Sequence, residues 1–518
     1  MKLRMISSAE KILSLLLLSM VAISCTKEFD DINTNKNAIA EPGPAELPFL
    51  FSRAESAATH STWTYQIAQN LFADQYAQYF ASTATYFNSD RLVIRMDWVP
   101  AAFNPIYTDV VPQLQTILER TDPSSAENAL AHIWWVWTFH RVTDYWGPIP
   151  YSKAGIPGIS VPYDAQDVIY ADFFKRLDEA VKILEGKKGE KPYGSFDLIY
   201  AGDVEKWIKF ANTLRLRLAL RISKVDPAKA KSEAEAAYSA GVMDNSATDD
   251  ALIQRSLKGE NYNGLSIMSD WNEFRMSASM ESVLKGYDDP RTSEYFLPAV
   301  TSGTFEGLRN GLTPTQQTED INKADANSHV GDRWLSTGLA THQNVMCTAE
   351  AYFLRAEGAL NGWNMGGNAK ELYEAGITNS MKQWGITNDA AIQAYISSSN
   401  TPVAPNDYLS SPAVSNIPVS FVVSDVAIQR EQIATQKWLG LFPDGFEAWA
   451  EYRRTRLPKL YPVANSENPD ITNTATQIVR RIPFITTEIL TNGPEVEKAV
   501  QLLNGPDKVT TPLWWDKN

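Results

Sequence analysis

The chain has 518 residues, 44% of them hydrophobic, and its 61 acidic against 47 basic side chains give a formal net charge of −14. So acidic a surface excludes nucleic acid as a partner, since binding it needs a basic face that displaces counterions, and it argues equally against electrostatic adhesion to anionic lipid. The length suits a large core or two lobes; much of the 15 Trp, 21 Tyr and 20 Phe must be core, and flat aromatics beside amides also suit the C–H faces and hydroxyls of sugars, a reading that composition permits.

Lys2, Arg4 and Lys11 give the chain a basic start, and residues 12–23 are almost wholly apolar. That run is too short to span a bilayer as a helix, which takes about 20 residues, but suits the apolar region of a signal peptide over 1–24. Cys25 after small Ala22 and Ser24 resembles the lipobox of bacterial lipoproteins, with Ala22 where leucine is usual. Cys25 is therefore the expected lipid-attachment residue, heading a tether over 25–45. Only Cys347 remains beyond it, which leaves no intramolecular disulfide in the mature chain.

Asp31, Asn33, Asn35 and Asn37 alternate like the start of an EF-hand, and residues 325–332 are similarly oxygen-rich. Neither has glycine at the sixth loop position, and Pro42 takes the twelfth place of the first, where glutamate is required. No cofactor is expected; a structural calcium elsewhere stays open but unsupported.

From residue 46 onward, helical periodicity dominates. "YQIAQNLFADQYAQYF" with "FNPIYTDVVPQLQTILER" reads as a first hairpin, and "AENALAHIWWVWTFHRVTDYWG" with "YDAQDVIYADFFKRLDEAVKILEG" as a second. "DVEKWIKFANTLRLRLALRIS", capped by Asp203, pairs with "PAKAKSEAEAAYSAGVM". In "AEAYFLRAEGAL", Ala349, Tyr352, Phe353, Ala356 and Leu360 share one helix face; Tyr373, Gly376, Ile377, Ser380, Met381 and Trp384 share another, whose small residues admit a close neighbour. Hairpins of this length resemble tetratricopeptide repeats. Near the C-terminus, Asp444 and Glu447 form a D-x-x-E capping box for "FEAWAEYRR", and Pro458 ends that helix.

The expected fold is therefore mainly α, one domain over 46–518. A tetratricopeptide-like scaffold of helical hairpins (mainly 46–239, 346–394 and 427–460) carries a large irregular, loop-rich, ligand-binding lobe with few short strands (mainly 240–345, 395–426 and 461–518).

Several strings in this order resemble the SusD/RagB family of Bacteroidetes surface lipoproteins: the cysteine followed by "FDDINTNKNA", "RVTDYWGPIPYSKA", "EAYFLRAEGAL", "SDWNEFRMSASM" with "GYDDPR", and "IQREQIATQKWLGLFPDGFEAWAEYRRTRLP". The resemblance covers nearly the whole chain. It implies a nutrient-binding protein, lipid-anchored at the outer membrane and facing outward, that captures an oligosaccharide or other nutrient and delivers it to a SusC-like TonB-dependent transporter. The reading from another class is a helical-repeat scaffold lipoprotein that binds protein or peptide.

Candidate binding residues are aromatics outside helical stripes and beside amides. Tyr86, Phe87 and Trp98 form one group, Tyr262, Asn263, Trp271 and Arg275 a second, and Trp334 stands third. Trp134, Trp135 and Trp137 follow helical spacing and read as core. Catalysis has no support: no G-x-S-x-G occurs, and His132 and His140 read as core or edge histidines. Glu447 and Glu451 share a helix face, but Arg453 and Arg454 beside them read as solvated partners.

Overall fold

The computed structural model describes residues 42–518 except 157 and 260. The leader, Cys25 and all but the last residues of the tether therefore lie outside the described residues. Residues Leu47–Asn518 form one compact unit.

Ten helices carry the scaffold: α1 (Leu47–Ala58), α2 (Val111–Arg120), α3 (Ala126–Trp146), α4 (Gln166–Glu185), α5 (Val204–Arg221), α6 (Pro227–Ser239), α7 (Thr348–Leu360), α8 (Ala369–Gln383), α9 (Val426–Leu441) and α10 (Gly445–Thr455). Their starts follow capping chemistry. The Ser125 hydroxyl accepts from the Asn128 N–H, and the Asp203 carboxylate accepts from that of Lys206; Asn368 and Glu371 make a reciprocal box at α8. The α3–α4, α5–α6 and α7–α8 hairpins pack as the apolar stripes require, and α7 then joins the two sets by lying against both α5 and α9. At the α7–α8 crossing, a Cβ on Gly376 would come within 2.5 Å of the Phe353 ring, so only glycine allows this approach. Helix α3 is buried on nearly every side, with Trp134 stacked on Trp137 at 4.4 Å.

The first predicted hairpin is only partly right in its partners. Helix α1 packs on 106–120, whereas Gln66–Asp74 is π-helical, lies mainly against α10 and meets the predicted partner only at the short helix Pro100–Pro105. The chain then turns at Gln78, in the left-handed region at φ 53°, into strand β1 (Phe80–Ser82). A helix-period stripe shows burial but cannot name the neighbour, and tertiary packing chose α10.

A second correction concerns Glu447 and Glu451, which are buried rather than solvated. Arg217 and Arg221, one turn apart on α5, face them. Arg221 reaches Glu447 at 2.6 Å and Glu451 at 2.7 Å, while Arg217 pairs with Glu350 of α7 at 2.6 Å. Lys437 and Arg454 complete the Glu451 shell at 2.6 and 2.7 Å. Burial pushes the Glu451 carboxyl up, but Arg454, Lys437 and Arg221 together hold it well below the usual range. Asp444 still caps α10 through the Glu447 N–H, yet the Glu447 carboxylate serves Arg221 instead of closing the box. Arg453 turns elsewhere, donating to the Asp144 and Arg480 carbonyls and lying 3.6 Å over Trp449.

The irregular lobe is held by two small antiparallel sheets. Strand β1 pairs with β3 (Phe274–Met276), and β2 (Ala251–Ile253) with β4 (Gln343–Met346). Among the described residues, no helix is long and apolar enough to cross a membrane.

Candidate functional site

The β1–β3 pairing decides the site. Ser82 lies opposite Phe274, and the Thr83 N–H donates to the Glu273 carbonyl at 3.0 Å, so the loop leaving β1 and the loop entering β3 emerge from the same end of the sheet. The first loop carries Tyr86, Phe87 and, after a 3-10 turn at Ser89–Arg91, Trp98; the second carries Trp271. Two segments nearly 200 residues apart thus carry their aromatics away from one end of the same sheet.

These aromatics divide into bearers and supports. Tyr86 is 65% exposed and Trp271 43%. Phe87 is buried, edge-on to Tyr86 at 4.7 Å and to Trp98 at 5.5 Å. Trp98 is half-buried, and the Arg95 guanidinium covers one of its faces at 4.1 Å while pairing with Asp97 at 2.7 Å. Glu273 ties the two loops together, since the Tyr86 hydroxyl donates to one carboxylate oxygen and the Gln66 amide to the other at 2.5 Å. That hydrogen bond to a carboxylate pushes the Tyr86 phenol up to about 12. Arg275 sits under the second loop, donating to the Asn272 side chain at 2.6 Å and to the Ala324 carbonyl at 2.9 Å. Burial lowers its guanidinium to about 10. It holds Asn272 in the left-handed conformation, φ 58°, that turns Trp271 outward.

The remaining candidates lie elsewhere. Tyr262 is half-buried, and its backbone carbonyl accepts the Thr62 N–H at 3.1 Å. Asn263 is buried and caps the short helix Gly264–Ser269. Trp334 is only 3% exposed, packed on Trp384 at 5.5 Å and Phe442 at 5.6 Å. Asn263 and Trp334 border a separate recess of about 320 Å³, whose other walls include Trp384, Gln383 and the Arg141–Asp444 ion pair.

Two participants, Gln66 and Glu273, and one further exposed ring escaped the sequence reading. Trp63 is 59% exposed, one turn before Gln66, and fits the aromatic-outside-a-stripe criterion within "THSTWTYQ". Gln66 was hidden in an apparent helix stripe, and nothing local marks Glu273 as a tie between loops. Among the described residues, no cluster of three or more His, Cys, Asp or Glu is arranged to hold a metal ion.

Exposed rings, amides and a carboxylate on one surface can stack on and hydrogen-bond to a polyhydroxylated ligand; they offer no activated nucleophile. Comparison with known proteins matches residues 32–516 to the family model described as SusD-like, SusD and RagB outer membrane lipoprotein. Among solved structures, a chitin-binding SusD homologue from Flavobacterium johnsoniae is 35% identical with a TM-score of 0.83, covering 91% of this chain and 99% of its own. A SusD homologue from Bacteroides vulgatus is 32% identical with a TM-score of 0.80, covering 91% and 97%. A further structure, named as a chitin-binding protein, is 26% identical with a TM-score of 0.76, covering 91% and 100%. No match was found among curated proteins.

Proposed function

Because the chain belongs to the SusD/RagB family of outer-membrane lipoproteins, we propose that it captures an oligosaccharide on the ridge formed by Tyr86, Trp98 and Trp271. The observation that carries this reading is the outward placement of Tyr86 and Trp271 at one end of the β1–β3 sheet, joined through Glu273. Core aromatics are buried, and exposed rings fixed by a second layer of hydrogen bonds match what a flat ligand needs. The ligand class is a β-linked N-acetylglucosamine oligomer, the chemistry named for the Flavobacterium neighbour. Its acetamido groups would find donors and acceptors in Gln66, Asn272 and Glu273, and its pyranose faces would lie on the rings. Binding without covalent chemistry suits release to a SusC-like TonB-dependent transporter, with Cys25 acylated to hold the protein at the outer face of the outer membrane.

Affinity electrophoresis and calorimetry with chito-oligosaccharides test the ligand. Binding weakened by about tenfold in Trp98→Ala and in Trp271→Ala, with folding intact, is the expected result; no binding by the parent protein, or binding indifferent to both, rejects the ridge. Cys25→Ala is expected to move the protein from the membrane to the soluble fraction, and continued membrane attachment would place the anchor elsewhere.

A further inference from the structure

A second cleft, of about 440 Å³, opens on the scaffold where the α5–α6 turn, the C-terminal end of α7, α9 and α10 meet. Its apolar walls are Ile433, Leu441 and Leu457, with Trp363 and Trp438 adding flat surface. Its charge is opposite to that of the molecule. Four cations line it, Lys224, Arg430, Lys437 and Arg454, against two carboxylates, Glu357 and Glu451, in a chain whose net charge is −14.

The two carboxylates are already committed to two of those cations. Glu451 takes Lys437 at 2.6 Å and Arg454 at 2.7 Å, and Glu357 takes Arg454 at 2.6 Å. That leaves Lys224 and Arg430, from opposite walls. Arg430 donates to the neutral Asn361 amide oxygen at 2.8 Å, and Lys224 to that of Asn518. Among the described residues neither has a carboxylate partner. Partial burial and the like charges of Arg454 and Arg456 lower the Lys224 ammonium, outweighing the attraction of Asp516 and Glu357, which lie beyond ion-pair distance. A site that holds cations beside one another at such a cost is relieved by an incoming anion.

We propose that this cleft binds an acidic peptide segment of a partner protein, with one large apolar side chain against Trp363 and Leu457 and flanking carboxylates on Lys224 and Arg430. Charge complementarity selects the occupant: a neutral glycan satisfies neither cation, and a small free anion leaves the apolar walls unfilled. The inference is independent of the aromatic ridge.

The test is fluorescence anisotropy of the full chain with fluorescein-labelled Asp-Glu-Leu-Asp-Glu. Saturable binding is expected, weakened by roughly tenfold or more in Arg430→Glu and again in Lys224→Glu, as reversal of one attractive charge contact implies. Trp271→Ala should leave it unchanged, and Arg430→Glu should leave chito-oligosaccharide binding unchanged. Lys224 is exposed, so its variant keeps the test valid should Arg430→Glu fail to fold. The proposal is overturned by no saturable binding, by binding indifferent to both charge reversals, by equal binding of Lys-Lys-Leu-Lys-Lys, or by free aspartate competing as well as the peptide does.

Discussion

The α5–α10 contact and the β1–β3 ridge each invert the usual placement of their residue types. At the contact, Arg217, Arg221, Glu447 and Glu451 are charged groups with almost no water, each satisfied by opposite charge from another helix. At the ridge, Tyr86 and Trp271 are apolar rings left in water, with a hydrogen-bonded layer beneath them. A shift of the helices would leave this buried charge unpaired, which is costly. Exposed aromatic area carries a standing cost in water that contact with a ligand removes. The contrast teaches that a residue's neighbours, rather than its type, separate framework from site.

The sharpest way to break the contrast is Arg221→Ala. It takes from buried Glu447 its close cation, leaving only Arg217 at 3.6 Å, and removes one of the three cations around Glu451; the expected cost is about 3–5 kcal/mol, read as a fall in the denaturation midpoint. A loss as small as that of a surface variant would mean that water enters the contact.

Asp74, fully buried against α10, comes next. Burial raises its carboxyl to about 7, despite hydrogen bonds donated by Gln69 and Tyr65. The folded state therefore holds its proton more tightly than the unfolded chain. Its contribution to stability is complete below about pH 4 and is lost as pH rises through about 7, a few kcal/mol in all. In Asp74→Asn this descent should vanish from the stability–pH profile between those limits, while a profile matching the parent would show that Asp74 ionises freely in the fold.

Gly376→Ala pushes a methyl into the Phe353 ring and should cost about 1–3 kcal/mol without altering glycan binding. A neutral outcome would mean that α7 and α8 can separate. The smallest effect sharpens the ridge: Trp271→Ala should weaken chito-oligosaccharide binding by about tenfold and change stability by no more than about 0.5 kcal/mol, as expected of an exposed contact residue. Calorimetry and thermal melting separate the two effects, and a melt shifted like that of Arg221→Ala would assign Trp271 to the framework.

Much of the architecture was legible because it rests on local pattern. The stripes of Ala349–Leu360 and Tyr373–Trp384, the caps at Asp203 and Asp444, and the loop-rich texture of 240–345 each follow from periodicity or turn chemistry within one segment, and together they gave a mainly helical fold. The order of motifs carried the family. What failed was pairing: Gln66–Asp74 showed a helical stripe, yet its main partner, α10, lies more than 370 residues away. Glu447 read as a cap because Arg221 is invisible at that distance.

The ridge divides in the same way. Sequence marked Tyr86, Trp98 and Trp271 as aromatics outside stripes, and it could equally have marked Trp63. It gave no means of telling Trp271, turned out by Asn272 and Arg275, from Trp334, packed on Trp384 and Phe442. Composition and periodicity therefore determined the acidic surface, the helical scaffold and the supply of aromatic residues, because these depend on side chains and their near neighbours. Only tertiary structure decided which rings face water and which charges are buried, because exposure and ion pairing are properties of contacts between segments remote in sequence.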